Sequence, residues 1–262
     1  MSMPSIQKPR VLKFGGRAQG AATLPALVAA AAQQAPLIVV HGGGDEVSAM
    51  QRSLGLEPQF IGGRRVTSEA DLDVVRILLS GRVNKRIVSQ LVSAGAHAVG
   101  ISGEDGPLLT ARVVDPTFGR VGREVTAHPK LLTDLLAAGW LPVVSPLARD
   151  RESATGAGLN VNGDDAATAI AVALGASELL FVADVEGVLD AGTRIPRLDP
   201  LSIQHLAARG VVQGGMLAKL EAAVAALKAG VGAVRIGTLD AISDPTAGTT
   251  IVPAVHALQD HT

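Results

Sequence analysis

Two lysines, one arginine, one aspartate and two glycine turns carry the side-chain and backbone types needed to handle a pair of anions. The stretch Ile38-Val39-Val40-His41-Gly42-Gly43-Gly44-Asp45-Glu46 reads as a buried strand that runs through a glycine turn into a helix. Three successive glycines leave backbone N–H groups bare at the positive end of a helix dipole, which is an anion site by construction. Val11-Leu12-Lys13-Phe14-Gly15-Gly16 repeats the device, with Lys13 inside an otherwise apolar strand. A lysine there needs an anionic partner or a path to solvent along its own stem. Lys219 falls in the first turns of a helix introduced by Gly214-Gly215, where nothing local rewards a cation and a bound anion would. Two such turns can face one polyphosphate from two sides.

The familiar nucleotide motifs are missing. There is no G-x-x-x-x-G-K-[ST], and Gly42-Gly43-Gly44 lacks the G-x-G-x-x-G spacing of dinucleotide binders. His41-Gly42-Gly43-Gly44 is similar to an esterase oxyanion-hole motif, but that chemistry needs a serine elbow, and Gly100-Ile101-Ser102-Gly103-Glu104 fails at its last position. The six histidines show no metal-binding spacing, so no metal ligands are expected from the protein.

The elements that must position these groups follow an α/β rhythm, with short β-branched runs alternating with longer helical patterns, as in a mostly parallel central sheet. Expected strands are 11–14, 37–40, 98–101, 141–144, 179–182 and 233–236. Helices are expected over 21–34, 68–79, 83–94, 129–138, 166–174 and from Gly214 to about Lys228. The Gly-, Arg- and Pro-rich stretch 55–67 reads as a hairpin or lid, 107–125 as a smaller antiparallel excursion at the sheet edge, and the segment after Val144-Ser145-Pro146 as a loop. Asp164 or Asp165 is placed to cap the helix that follows it. A lobe boundary is expected near Gly175.

Composition sets the bounds. The chain has 262 residues, 47% of them hydrophobic, enough to bury a full core as one domain or as two lobes sharing a sheet. A formal net charge of −1 and 2% aromatic residues argue against a polyanion binder or a base-stacking surface, so no nucleic-acid partner is expected. No apolar run is long enough to span a bilayer, and nothing reads as an export signal, so no membrane partner is expected. The absence of cysteine excludes disulfides and thiolate chemistry and fits a cytoplasmic protein.

Taken together, Lys13-Phe14-Gly15-Gly16, His41-Gly42-Gly43-Gly44, Gly63-Arg64-Arg65-Val66-Thr67, Asn160-Val161-Asn162-Gly163-Asp164, Asp184-Val185-Glu186-Gly187-Val188 and Gly214-Gly215-Met216-Leu217-Ala218-Lys219 resemble, in order, the motifs of the N-acetyl-L-glutamate kinases within the amino-acid kinase family. The resemblance implies a three-layer αβα sandwich around the mostly parallel sheet. It further implies ATP-dependent phosphorylation of the side-chain carboxylate of N-acetyl-L-glutamate, in arginine biosynthesis. ATP would come with Mg2+ bridging its phosphates. Residues 1–175 would bind the acyl amino acid and form a homodimer, and 176–262 would bind the nucleotide. By the same resemblance Lys13 and Lys219 contact the phosphates and the transferring group, Gly16 and Gly43 offer N–H groups to it, and Asp164 holds the lysines. Arg65 clamps the α-carboxylate, Asn160 and Asn162 serve the acyl-amino portion with Gly42 and Gly44 beside it, and Gly15, Asp184, Gly187 and Gly215 belong to the nucleotide site.

Chemistry agrees with these roles. A carboxylate nucleophile is already ionised near neutral pH and needs no base, so the enzyme must instead offset repulsion between two anions. Arginine's planar fork suits a carboxylate. The chain departs from its relatives at Arg17, Arg64, Ala183 and Gly163. The two extra arginines would also welcome a succinylated, carrier-linked or aminoadipate-type substrate, and a noncatalytic regulatory relative is the alternative from another class. Pro4 and Pro9 disfavour the N-terminal helix through which arginine-inhibited relatives form hexamers, so a dimer insensitive to arginine is expected.

Overall fold

Short apolar runs bounded by Gly and Pro become strands because branched side chains pack well on a pleated surface and the bounding residues end the ladder. A computed structural model of the chain describes residues 7–15, 18–62 and 64–253. Gly16, Arg17, Gly63 and Pro4 lie outside the described residues. In chain order the strands are β1 (Arg10–Phe14), β2 (Leu37–His41), a short hairpin of β3 (Phe60–Ile61) and β4 (Arg64–Arg65), β5 (Ala98–Ser102), β6 (Leu109–Arg112), β7 (Val121–Ala127), β8 (Leu141–Ser145), β9 (Leu147–Asp150), β10 (Gly158–Val161), β11 (Glu178–Val182), a second hairpin of β12 (Leu189–Asp190) and β13 (Thr193–Arg194), β14 (Arg197–Leu198), β15 (Val234–Gly237) and β16 (Thr249–Ile251). The α-helices are α1 (Leu24–Gln34), α2 (Gly44–Ser53), α3 (Glu69–Arg76), α4 (Asn84–Ser93), α5 (Lys130–Ala137), α6 (Gly163–Ala173), α7 (Pro200–Ala208) and α8 (Gly214–Lys228).

Eight strands form the central sheet in the order β14-β16-β15-β11-β1-β2-β8-β5, parallel throughout except where β15 meets β16. The strand order reverses at β1, which has β2 on one side and β11 on the other. In open α/β sheets such a reversal leaves a crevice beyond the carboxyl ends of the strands. Here it sets the two glycine turns side by side: Phe14 is in register with His41, and the Gly42 N–H donates to the Phe14 carbonyl over 3.0 Å.

Helices cover both faces, and the two-residue period of a strand decides which core each side chain enters. Val11 belongs to the cluster that includes Ala166, Ala167 and Ile170 of α6 and Leu220 and Ala223 of α8, whereas Leu12 and Phe14 enter the opposite cluster with Val28 of α1 and Ile87 of α4. Lys13 therefore shares the Val11 face and points toward the starts of α6 and α8.

The structure revises five expectations. Residues 107–125 are not an excursion at the sheet edge: β6 and β7 pair antiparallel but close into a barrel with β9 and β10, and the β10–β7 and β6–β9 contacts are parallel. The presumed loop after Pro146 supplies those last two strands. It hides them because its larger apolar residues, Leu147, Leu159 and Val161, are scattered among Arg, Asp, Glu, Ala and Gly, too sparse for a strand signal. The two helices expected over 68–94 are joined by a π-helical turn, Ile77–Val83, across Ser80-Gly81. Fourthly, neither Asp164 nor Asp165 caps α6; the Asn162 side chain accepts the Asp164 N–H at 2.7 Å and frees the Asp164 carboxylate for other work. Finally, helix 21–34 starts late, at Leu24 with Pro25 behind it, after a 3-10 turn at Ala18–Gly20. Gly175 sits in the turn between α6 and β11, yet the sheet continues unbroken through that point because β11 pairs directly with β1.

Candidate active site

Three elements deliver three charges to one point. Lys13 leaves β1 one residue before its end, Asp164 lies in the first turn of α6 and Lys219 sits in the second turn of α8. Lys13 Nζ lies 2.8 Å from Asp164 Oδ1, and Lys219 Nζ donates to Asp164 Oδ2 at 2.6 Å. One carboxylate thus holds two ammonium groups by its two oxygens, and each ammonium retains donors for a further anion. Lys13 and Asp164 are each only 8% exposed. Burial pulls the Lys13 pKa down and neighbouring Lys219 adds to this, with Asp164 opposing. Burial also resists ionisation of Asp164, but the two lysines together outweigh it and hold the carboxyl below its usual range.

These groups lie in a cleft of about 410 Å³ lined by Gly42, Gly43 and Gly44, by Asn160 and Asn162, and by Gly215. Five cationic side chains line it, Lys13, Arg64, Arg65, Arg123 and Lys219, against the single carboxylate of Asp164. A surface with that imbalance attracts a polyanion. Gly163 touches the site: a Cβ there would come within 3.1 Å of Lys13 Cε.

Arg65 is held before any ligand arrives. Its guanidinium donates to the Gly44 carbonyl at 2.8 Å and to Ser48 Oγ at 2.7 Å, bonds Gln51 Oε1 as well, and lies 4.8 Å from the centroid of the Phe60 ring. Gln51 is in turn fastened to Asp71, which also closes a capping box with Ser68 at the start of α3. Ser48, Gln51 and Asp71 escaped the sequence reading. The only trace of them was the spacing of Ser48 and Gln51 on one face of α2, which is also the spacing of an ordinary surface. Asn160 donates to Thr67 Oγ1 at 3.0 Å, joining the barrel to the end of the β3–β4 hairpin.

His41 enters the sequence reading only as part of the His41-Gly42-Gly43-Gly44 motif, with no role of its own, and its partner Asn84 is not singled out there. Both are fully buried, and Asn84 reaches inward from the end of the π-turn to donate to the Val143 carbonyl at 2.9 Å. Its amide nitrogen also stands 3.2 Å from His41 Nε2, so that ring nitrogen accepts and Nδ1 carries the proton toward the Gly42 carbonyl at 2.9 Å. Burial lowers the His41 pKa to about 4. Unfolded histidine takes up a proton near 6.5 while His41 in the fold does not, so stability falls as pH drops from 6.5 toward 4. Integrated over that window the loss is about 3 kcal/mol. Urea midpoints measured from pH 7 to pH 4 should show this decline, and His41→Gln should flatten it; equal slopes in both proteins would refute the assignment.

The remaining predicted residues divide between places. Gly215 lines the first cleft beside Lys219, whereas Asp184 lines a second cleft of about 670 Å³ with Ala18, Ala183, Glu186, Arg194 and Asp240. Gly187 lines neither cleft. A Cβ there would stand 2.5 Å from Thr249 Oγ1, so the glycine permits close packing of its loop on β16. Gly42 has its N–H and carbonyl both engaged within the protein, which leaves Gly43 and Gly44 as the glycines of that turn whose N–H groups make no such bond among the described residues. Gly16 lies outside the described residues. Among them no cluster of three or more His, Cys, Asp or Glu side chains could hold a metal, and no helix is long and apolar enough to cross a membrane.

Comparison with known proteins agrees with this geometry. Residues 8–238 match the model of the amino acid kinase family. An acetylglutamate kinase of Chloroflexus aurantiacus is 44% identical over 214 residues, covering 80% of this chain and 84% of the relative. That of Roseiflexus castenholzii is 41% identical over 261 residues, covering 96% and 97%. Among solved structures, a Streptococcus mutans protein superposes with a TM-score of 0.82 at 29% identity over 94% of this chain and 98% of that one. With the match running through both halves of the sheet and all of the cleft-lining motifs, the chain belongs to the amino acid kinase family.

Proposed function

We propose that this chain transfers the γ-phosphoryl group of ATP to the side-chain carboxylate of N-acetyl-L-glutamate, forming the acyl phosphate and ADP in arginine biosynthesis. The observation that carries the reading is the pair of ammonium groups 2.8 and 2.6 Å from the two oxygens of buried Asp164, at the floor of a cationic cleft. The curated relatives at 41–44% identity support the substrate.

In this reading Lys13 and Lys219 each keep one N–H on Asp164 and turn the others to the phosphate oxygens and to the carboxylate that attacks them. Repulsion between the two anions falls, and the attacking oxygen can reach phosphorus in line. No base is required. Gly43 offers its N–H to the same oxygens, with Gly16 as its counterpart from the first turn and Gly15 beside it. Arg65 takes the α-carboxylate with the guanidinium N–H groups that Gly44, Ser48 and Gln51 leave unused. Asn160 and Asn162 flank the acetamido group, and Gly42 and Gly44 form the adjacent wall. The nucleotide extends from Gly215 and Lys219 into the 176–262 half, with Asp184 on its side and Gly187 shaping the loop, while residues 1–175 hold the amino acid. Magnesium fits as part of the nucleotide: Asp164 is committed to two ammonium groups, so the ion would rest on phosphate oxygens and water and withdraw charge from them. The enzyme works in the cytoplasm, where ATP is supplied, as a homodimer. The outer edge of β5, the last strand of the sheet, and the exposed Ile77 and Val92 support that assembly, which sedimentation would check.

Arg65→Ala should raise KM for N-acetylglutamate on the order of a hundredfold with a smaller fall in kcat, because the bond to the α-carboxylate exists in ground and transition states alike. Arg65→Lys should recover little of it, lacking the fork. Steady-state kinetics in both substrates decide this, and an unchanged KM would contradict the role. A second reading is favoured by Arg64 and Arg123 in the cleft, whose charge suits an acyl group with a carboxylate of its own. ADP release measured side by side with acetyl-, succinyl- and carrier-linked glutamate, and with glutamate, aspartate and UMP, tests both readings; turnover limited to the last three would overturn them.

A further inference from the structure

We propose that Gln19 and His41 are positioning residues that lock the Gly42–Gly43 peptide in one orientation, its carbonyl turned into the protein and its N–H facing the phosphoryl group in flight. This rests on the reading above that phosphoryl transfer occurs in this cleft.

The Gly42 carbonyl accepts two side-chain hydrogen bonds, from Gln19 Nε2 at 2.9 Å and from His41 Nδ1 at 2.9 Å. Both donors are buried, 4% and 0% exposed, and neither lines the cleft that Gly43 lines. The described chain has no cis peptide, and across a trans peptide the N–H of one residue points opposite to the carbonyl of the residue before it. Fixing the Gly42 oxygen on the buried side therefore aims the Gly43 N–H at the cleft.

The clamp answers a specific weakness. With glycine on both sides of the bond, no Cβ opposes rotation of this peptide plane, and the reversed plane would present a carbonyl oxygen to the incoming phosphoryl oxygens. Two buried donors on the carbonyl oppose that reversal.

Each donor is itself oriented. Asn84 on His41 Nε2 selects the tautomer whose Nδ1 can donate. Arg86, paired through two bonds of 2.7 and 2.8 Å with Glu46 of α2, brings a guanidinium nitrogen to 3.5 Å from Gln19 Oε1, which turns the amide nitrogen toward Gly42. Neither residue touches the reacting groups; both act through the backbone of Gly43.

The test is Gln19→Leu, which keeps the size and deletes the donor, and Gln19→Glu, which sets an oxygen against the Gly42 oxygen. Both should lower kcat about tenfold to a hundredfold, less than or equal to the loss of one whole oxyanion donor. KM for ATP and for acetylglutamate should stay within about threefold, since the N–H bond tightens only as charge develops. Affinity for ADP, aluminium fluoride, magnesium and acetylglutamate together should fall by the same factor as kcat. In the substrate-free protein, the carbonyl 13C resonance of Gly42 should shift on losing one of its two donors. If one variant fails to fold, the other carries the test. Full kcat in the folded variant, or a loss in KM alone with transition-state-analogue affinity unchanged, overturns the proposal. Wild-type protein that phosphorylates no acyl amino acid would overturn the parent reading instead, and the Gly42 resonance would still report whether the clamp exists.

Discussion

Lys13→Met and Lys219→Met should each lose on the order of a hundredfold to a thousandfold in kcat, with far smaller changes in KM for either substrate. The charge on the phosphoryl oxygens and on the attacking and leaving oxygens is redistributed only as the bond is crossed, so a fixed cation contributes mostly at that point. Methionine keeps the unbranched apolar stem of lysine and lacks only the terminal ammonium, which isolates the charge. The two losses should not add: with Lys13 gone, Lys219 moves to share both oxygens of Asp164 and is itself displaced, so the double variant should be little worse than either single one. Lys13→Arg should not rescue, since the position is 8% exposed and a planar guanidinium cannot occupy the space of an ammonium. Coupled ADP-release assays on protein of native circular dichroism supply the measurement, and near-normal turnover in either single variant would remove the basis of the mechanism.

Asp164→Ala should cost about 3–5 kcal/mol of stability as well as activity. Removing one partner of a buried ionic cluster leaves the other charge uncompensated, and here two ammonium groups would face each other in its absence. Asp164→Asn keeps the shape and should be milder in stability, but it withdraws the opposing charge that raises the Lys13 pKa against burial. Lys13 must stay protonated to serve the phosphate, so the alkaline limb of the kcat profile should move to lower pH in the asparagine variant. The sign for Asp164 itself is the reverse: its carboxyl sits below the usual value near 3.8, so the stability it contributes is present above that pH and is lost as pH falls through the lower folded value. Urea titration at neutral pH and a pH–rate profile decide both points. A variant as stable as wild type, with an unmoved alkaline limb, would mean that the carboxylate organises nothing.

Much of this was legible in the chain because it is local. Six of the eight strands of the central sheet announce themselves by short branched runs, while β14 and β16, two and three residues long, do not; two of the six end in glycines next to a helix start, which makes an anion site whatever the distant residues do. The alternation of Val11, Leu12, Lys13 and Phe14 already commits Lys13 to one face of the sheet. The family motifs point to the other candidate residues, most of which lie near a strand or helix end that the pattern locates.

What the chain alone left open depends on partners far along it. Asp164 reads locally as a helix cap, and only the approach of α8, 55 residues later, with Lys13 from β1, turns it into the holder of two lysines while Asn162 takes over the cap. The barrel stayed hidden because β9 and β10 are closed into it by pairing with β7 and β6 and have too few apolar residues to signal themselves singly. Gln19, Asn84 and Arg86 looked like ordinary polar residues, for a hydrogen bond to a backbone carbonyl leaves no mark in composition or period. Short-range sterics and the strand period are written into each segment, whereas the orientation of one peptide plane or one guanidinium is settled only when separate segments close around it and every buried polar group must find a partner.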